Sequence, residues 1–398
     1  MSKNIKTCNN TNTTHNTNTT HTNTNTTHNV QYADTDLITA AFKGDNFLVK
    51  TILQLGAFID VQNNNECTAL MYASWQGHKA IVYHLIKANA SLNIQCKAGY
   101  TALIYAAENG YDFIINYLIK AKALLNLQNK DGWTALMFAS VYGHRKIVDC
   151  LIKAKALPNI VCKYGRTALI YASERGYSFI VVSLIKAKAS LDIQDKNGRT
   201  ALIEASCGGH ESVVKLLIKA GSSLDIQDRN GQNALMEALY KGHSSIVKLL
   251  IEAGTSLDFQ DKDGNTALMK ASCEGYSFII NLLIEAGASL DLQNKTGNTA
   301  LILASIHGYK TIVDAFICAG AALDFQDVKG KTALMLASIH GYGTIVDSII
   351  KAGAALDIQN KNGRTALMEA LYLEETYYPR KSIIDSLIRA GASVKCSL

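Results

Sequence analysis

The 398 residues carry 39 Lys and Arg against 33 Asp and Glu, a formal charge of +6, and 48% of them are hydrophobic. That composition excludes a chain disordered throughout, and so mild a charge does not by itself point to a nucleic-acid partner. Nine scattered cysteines without a Cys-x-x-Cys pair argue against a disulfide framework or a zinc site. With neither a signal-peptide core nor an apolar run of about 18 residues, a soluble intracellular protein is expected, cytoplasmic or nuclear.

Residues 1–31 are dominated by Asn, Thr and His, which cannot bury enough apolar surface to offset chain entropy, so a disordered tail is predicted. His15, His21 and His28 lack fixed ligand spacing and read as low-complexity sequence, not as a metal site. The Asn12 to Thr14 sequon, without a secretory signal, is expected to stay unmodified.

From residue 32 to 398 a period takes over. Thr68, Thr101, Thr134, Thr167, Thr200, Thr266, Thr299, Thr332 and Thr365 each open a Thr-Ala-Leu, and Asn233 stands in for Thr in one further copy. These ten copies keep a spacing of 33 residues, as from Thr68 to Thr101, without an insertion or deletion. A degenerate unit with Thr35, Leu37 and Gly44 precedes them, making about eleven repeats.

Each unit starts with a Gly two residues before the Thr, such as Gly99, suited to a turn with positive φ; Glu66 breaks the rule in the first full copy. The Thr hydroxyl is expected to cap a short helix, with Leu70 and Ala73 on one face. A second Gly, such as Gly77, ends that helix and is followed by His or Tyr. Ile81, Val82, Leu85 and Ile86 then form the apolar stripe of a second helix, and the exit loop runs Ala-Gly-Ala-Ser-Leu-Asp-Ile-Gln. A unit of two helices has no second layer of its own, so stacking must supply it.

These residues resemble the ankyrin repeat family over nine tenths of the chain. The resemblance implies an all-α solenoid of helix-turn-helix units with hairpin-like turns and a concave face that binds proteins. Thr-Ala-Leu-Met or Thr-Ala-Leu-Ile replaces the family's Thr-Pro-Leu-His, removing the helix-starting Pro and the Thr to His hydrogen bond. Ile94, Leu127, Ile193, Phe259 and Phe325 stand where the family has a small residue and should add apolar burial between turns.

Specificity should lie in positions that differ between copies. Four residues after the Thr stand Tyr72, Tyr105, Phe138 and Tyr171, then Glu204, Glu237 and Lys270, then Leu303 and Leu336, and last Glu369. Because the position is Glu or Lys in some copies, it is read as not obligatory core. With Trp75, Tyr100 and Trp133, the early aromatics form a candidate partner-binding ladder. Filling of inter-repeat space is the competing reading, and for Leu303, Ile306, Leu336 and Ile339 it is preferred over a second contact patch.

Lys97, Lys130, Lys163, Lys196, Arg229, Lys262, Lys295 and Lys361 mark the turn tips, and Lys87, Lys120, Lys153, Lys186 and Lys219 end second helices, where the helix dipole favours them. Asn89, Lys122, Lys155 and Lys188 replace the exit Gly in four early copies, where a left-handed backbone would cost the lysines about 1 to 2 kcal/mol each. An anionic partner, nucleic acid or acidic protein, is the alternative function these rows suggest. Interleaved Asp131, Asp195, Asp228 and Asp261 favour a solvated edge, and nucleic acid is not the expected partner.

Gly330-Lys331-Thr332 imitates a phosphate loop but coincides with the repeat's own turn and cap. His78, His144, His210 and His243 alternate with Tyr at one position, as packing groups do and metal ligands do not. No catalytic residue, metal or cofactor is expected. The last unit carries a five-residue insertion, with Thr365 to Gly391 spanning 26 residues against 21 from Asn233 to Gly254, and is read as a cap. A monomeric, non-enzymatic scaffold for a protein partner, with no membrane contact, is the resulting expectation. Two prolines and abundant Asn, Lys and Ile suit AT-rich coding sequence, and such arrays resemble those of protists, their large viruses or intracellular bacteria, so host-cell cytoplasm is included among the expected locations.

Overall fold

The computed structural model describes residues 36–372 and 380–393. The predicted tail, 1–31, and most of the final insertion, 373–379 with Tyr377, Tyr378 and Pro379, lie outside the described residues. Among the described residues there are 22 helices and no strands, in consecutive antiparallel pairs such as Ala69–Gln76 with Lys79–Lys87. The first helices pack on one another more extensively than the second helices do, so their row forms the inner side of the array.

The repeated residues act as their chemistry predicts. Thr68 Oγ1 accepts from Met71 N at 3.3 Å, and Asn233 Oδ1 does the same for Met236 N at 3.0 Å, which explains how Asn stands in for Thr in that copy. Thr332 caps its own helix, so the phosphate-loop imitation is a structural turn. Ile81, Val82 and Leu85 are wholly buried between neighbouring pairs, with Ile86 at the margin.

The glycine that ends the first helix serves two purposes. Gly110 has φ +82, and a Cβ there would fall 2.7 Å from the His144 ring of the next repeat. That ring packs on the bare glycine and places Nε2 3.1 Å from the Glu108 carbonyl oxygen. His78, His210 and His243 make the same bond to a carbonyl 36 residues upstream. Tyr111, Tyr177, Tyr276, Tyr309 and Tyr342 lay their rings over the preceding glycine in the other copies. Both side chains present a flat ring, and they exchange for that reason.

The turns are tied into a continuous row. Lys97 N donates to Asn65 O, Lys130 N to Ala98 O and Lys163 N to Asp131 O. Gln95 Nε2 donates to Gly99 O within its own turn and to Gln128 O in the next, and Gln128, Gln194, Gln227, Gln260, Gln293 and Gln326 repeat the arrangement. Ile94, Leu127, Ile193, Phe259 and Phe325 are half-buried beneath this row.

At the exit from the second helix, Lys122, Lys155 and Lys188 take φ values of +67, +71 and +59, where later copies have glycine. Left-handed backbone is costly for a residue with a Cβ. Lys155→Gly is therefore expected to raise stability by roughly 0.5–1 kcal/mol after glycine's greater unfolded-state entropy is subtracted, measured as a higher urea midpoint.

Candidate partner-binding face

Two variable positions meet on the inner row. The residue just before the capping Thr lies between the residue four after that Thr and its counterpart in the next repeat. Tyr100 contacts Tyr105 (ring centroids 4.8 Å) and Phe138 (5.5 Å), and Trp133 contacts Phe138 (4.9 Å) and Tyr171 (4.3 Å). The structure brings all seven aromatic candidates into one file, since Trp75 links Tyr72 (6.2 Å) to Tyr105 (6.3 Å).

The same interleaving continues with other chemistry. Arg166 lies over the Tyr171 ring at 5.7 Å and pairs with Glu204, while Arg199 reaches Glu204 at 3.2 Å and Glu237 at 3.3 Å. Gln232, with its amide oriented to suit both neighbours, donates to Glu237 at 2.7 Å and accepts from Lys270 at 3.2 Å. Lys270 also pairs with Asp261 at 2.7 Å. Aromatic meets aromatic and cation meets carboxylate at successive joints.

This pairing corrects one step of the reading from sequence. Glu204, Glu237, Glu369, Leu303 and Leu336 are buried as Phe138 and Tyr171 are, and Tyr72, Tyr105 and Lys270 are half-buried, so the position four after the Thr packs inward in most copies whatever its chemistry. Of the aromatic candidates, Phe138 and Tyr171 are each only 5% exposed, while Tyr72, Trp75, Tyr100, Tyr105 and Trp133 are half-buried and keep an edge at the surface. Leu303 and Leu336 pack between repeats as preferred, with Ile306 and Ile339 half-buried beside them.

Beneath the ladder, polar groups hold the rings in place. Tyr72 OH accepts from Asn63 Nδ2 at 2.9 Å, Tyr105 OH lies 3.6 Å from Cys96 Sγ, and Tyr171 OH 3.3 Å from Cys162 Sγ. Cys96 and Cys162 stand where other turns put the Asp or Asn whose oxygen collects backbone N–H groups, as Asp195 does for Asn197 and Arg199. A hydrogen bond from Cys67, helped by the Tyr105 hydroxyl and the Ala98 and Tyr100 amides, holds the Cys96 thiol well below its usual range despite burial. Burial pushes the Tyr100 and Tyr171 hydroxyls upward, keeping both neutral.

The surface itself is made by the two positions closing each first helix, which comparison at the middle of the helix does not reveal. Tyr142, 45% exposed, stacks on Phe138 at 6.4 Å and extends the ladder to solvent, and Phe42 extends it the other way by touching Tyr72 and Trp75. The available signal was helical spacing: Tyr142 follows Phe138 by one turn. Glu108 occupies the place of Trp75 in the next repeat, and burial raises its carboxyl to about 7, so this face gains negative charge as pH rises through neutrality.

An array of stacked helix pairs with one row of partly exposed rings defines an elongated helical-repeat protein. A family model described as ankyrin repeats (3 copies) matches residues 37–129, 114–195, 176–261, 241–327 and 307–396. The chain belongs to the ankyrin repeat family, whose repeats are generally protein–protein interaction modules. A comparison with curated proteins yields no match. No helix among the described residues is long and apolar enough to cross a membrane.

Proposed function

We propose that the protein is a non-catalytic, monomeric intracellular scaffold that holds a protein partner on the row of first helices, over the strip from Tyr72 to Tyr142. The supporting observation is the unbroken file of ring contacts from Phe42 to Tyr171, whose buried members fix the orientation of half-exposed ones. Rings held by one another lose little entropy on binding and suit the anchoring of an apolar or aromatic segment of a partner. Glu108 within the strip favours a partner offering a donor or a cation at that point.

Tyr171 is a poor probe because it is buried, whereas Trp75 and Tyr142 meet solvent. Trp75→Ala with Tyr142→Ala is expected to weaken the partner captured from native cell extract, identified by mass spectrometry, by about tenfold or more. Tyr240→Ala, an exposed tyrosine farther along the same row, serves as the control. Equal capture by the strip variant and the control removes the strip from consideration while leaving the scaffold class intact.

A further inference from the structure

A second surface lies on the ends of the second helices, independent of the aromatic strip. Three consecutive repeats end their second helix with a lysine pair, Lys120 with Lys122, Lys153 with Lys155 and Lys186 with Lys188, and all six are exposed. Among the described residues none of the six enters an ion pair. The second lysine of each pair is the one held in left-handed backbone.

Nothing local offsets that strain. At the equivalent Gly221, Gly254, Gly287, Gly320 and Gly353 a Cβ would meet no atom within 4 Å, so a side chain there points into open solvent without packing gain. Observed strain without structural return is a reason to look for function.

The neighbouring residue changes in step. In each repeat an Asp or Asn of the preceding turn accepts, through Oδ1, from a backbone N–H two residues beyond the exit position. Where that position is Asn89, Gly221, Gly254, Gly287, Gly320, Gly353 or Gly391, the acceptor is Asp60, Asp192, Asp225, Asp258, Asp291, Asp324 or Asp357. Where it is Lys122, Lys155 or Lys188, the acceptor is Asn93, Asn126 or Asn159, at 2.8, 3.0 and 2.8 Å. Asn makes the same hydrogen bond without the charge. The carboxylate that this turn elsewhere places on the N–H two residues beyond the exit position is missing in just the three repeats where a lysine stands there.

We infer that these six lysines form a docking surface for an acidic, extended polypeptide segment. Lysines kept free of local counter-charge raise the potential felt by an incoming anion. Neighbouring repeat helices lie about 8–10 Å apart, and every third residue of an extended polyproline-type chain advances roughly 9 Å, so carboxylates at that interval meet successive lysine pairs. Leu124 and Leu157, each 56% exposed and two residues beyond Lys122 and Lys155, offer apolar contact that a polypeptide can use and a phosphate backbone cannot. With the strip on the first helices, the array would carry two partners on two faces.

The test is fluorescence anisotropy of the full chain with a labelled peptide of repeated Glu-Pro-Ala units, titrated at low and physiological salt. Binding that weakens with salt is expected. Lys122→Asn/Lys155→Asn/Lys188→Asn, which keeps a residue that Asn89 shows to tolerate the backbone, should reduce affinity by about tenfold without loss of thermal stability. Asn93→Asp/Asn126→Asp/Asn159→Asp should reduce it comparably with every lysine in place, whereas lysines serving stability alone would leave affinity unchanged and gain ion pairs. The inference is overturned if the peptide does not bind, if either triple variant binds as wild type, or if duplex DNA or phosphatidylserine vesicles bind more tightly than the peptide.

Discussion

Replacing Arg166 with methionine is expected to lower the stability of the array by about 3 kcal/mol, the order found when one partner of a buried ionic cluster is removed. Its Nε donates to Asp195 Oδ2 at 2.9 Å, Nη1 to Glu174 Oε2 at 2.8 Å and Nη2 to Glu204. The Asp195 and Glu204 side chains are only 1% and 9% exposed, so they cannot recover the lost bonds from water. Methionine keeps the apolar stem and removes the charge, which separates electrostatics from packing.

The loss should depend on pH with a definite sign. Burial already raises the Glu204 carboxyl, and Arg166 and Arg199 hold it down. Without Arg166 the folded-state value rises further above the unfolded one, so the folded variant binds a proton that the unfolded chain has released. The deficit is therefore largest near and above neutral pH and shrinks as pH falls towards the ordinary carboxylate range. Because contacts in the array run between neighbours, the urea transition should also split, with the central repeats melting first. A small, pH-independent loss would mean that the cluster adds nothing to stability.

Gly99→Ala is the second large effect, on the order of 3 kcal/mol. At φ +81 alanine is strained, and its Cβ would stand 2.6 Å from the Lys130 backbone nitrogen, which donates to Ala98 O at 3.0 Å. Backbone cannot step aside as a side chain can, so the row of turns must open. Gly221→Ala has the same kind of φ, +89, but meets nothing within 4 Å, and about 1 kcal/mol is expected from conformation alone. The difference between the two urea midpoints isolates the cost of close approach between turns; equal values would show that conformation accounts for all of it.

Much of the fold was legible because it rests on short-range chemistry. A Thr or Asn before an apolar run states a cap, a glycine at fixed spacing states a turn, and His exchanging with Tyr states a packed ring. The candidate face was half legible. Tyr72 to Tyr171 could be seen as a file, but comparing one position across copies treats variation as freedom. Tyr100 beside Tyr105 and Phe138, and Arg166 beside Tyr171 and Glu204, show that the variation is matched between two positions in adjacent repeats. The signal was present in the joint change of both positions from aromatic to charged, and reading it requires knowing that they touch.

The sequence by itself determined the solenoid, because capping, turn and stripe residues act within one repeat and recur at every period. Only the tertiary structure decided which variable residues are core and which Asx residue sits near each lysine that replaces an exit glycine. Those relations join groups about one repeat apart in the chain, and stacking, which no single unit specifies, is what brings them into contact.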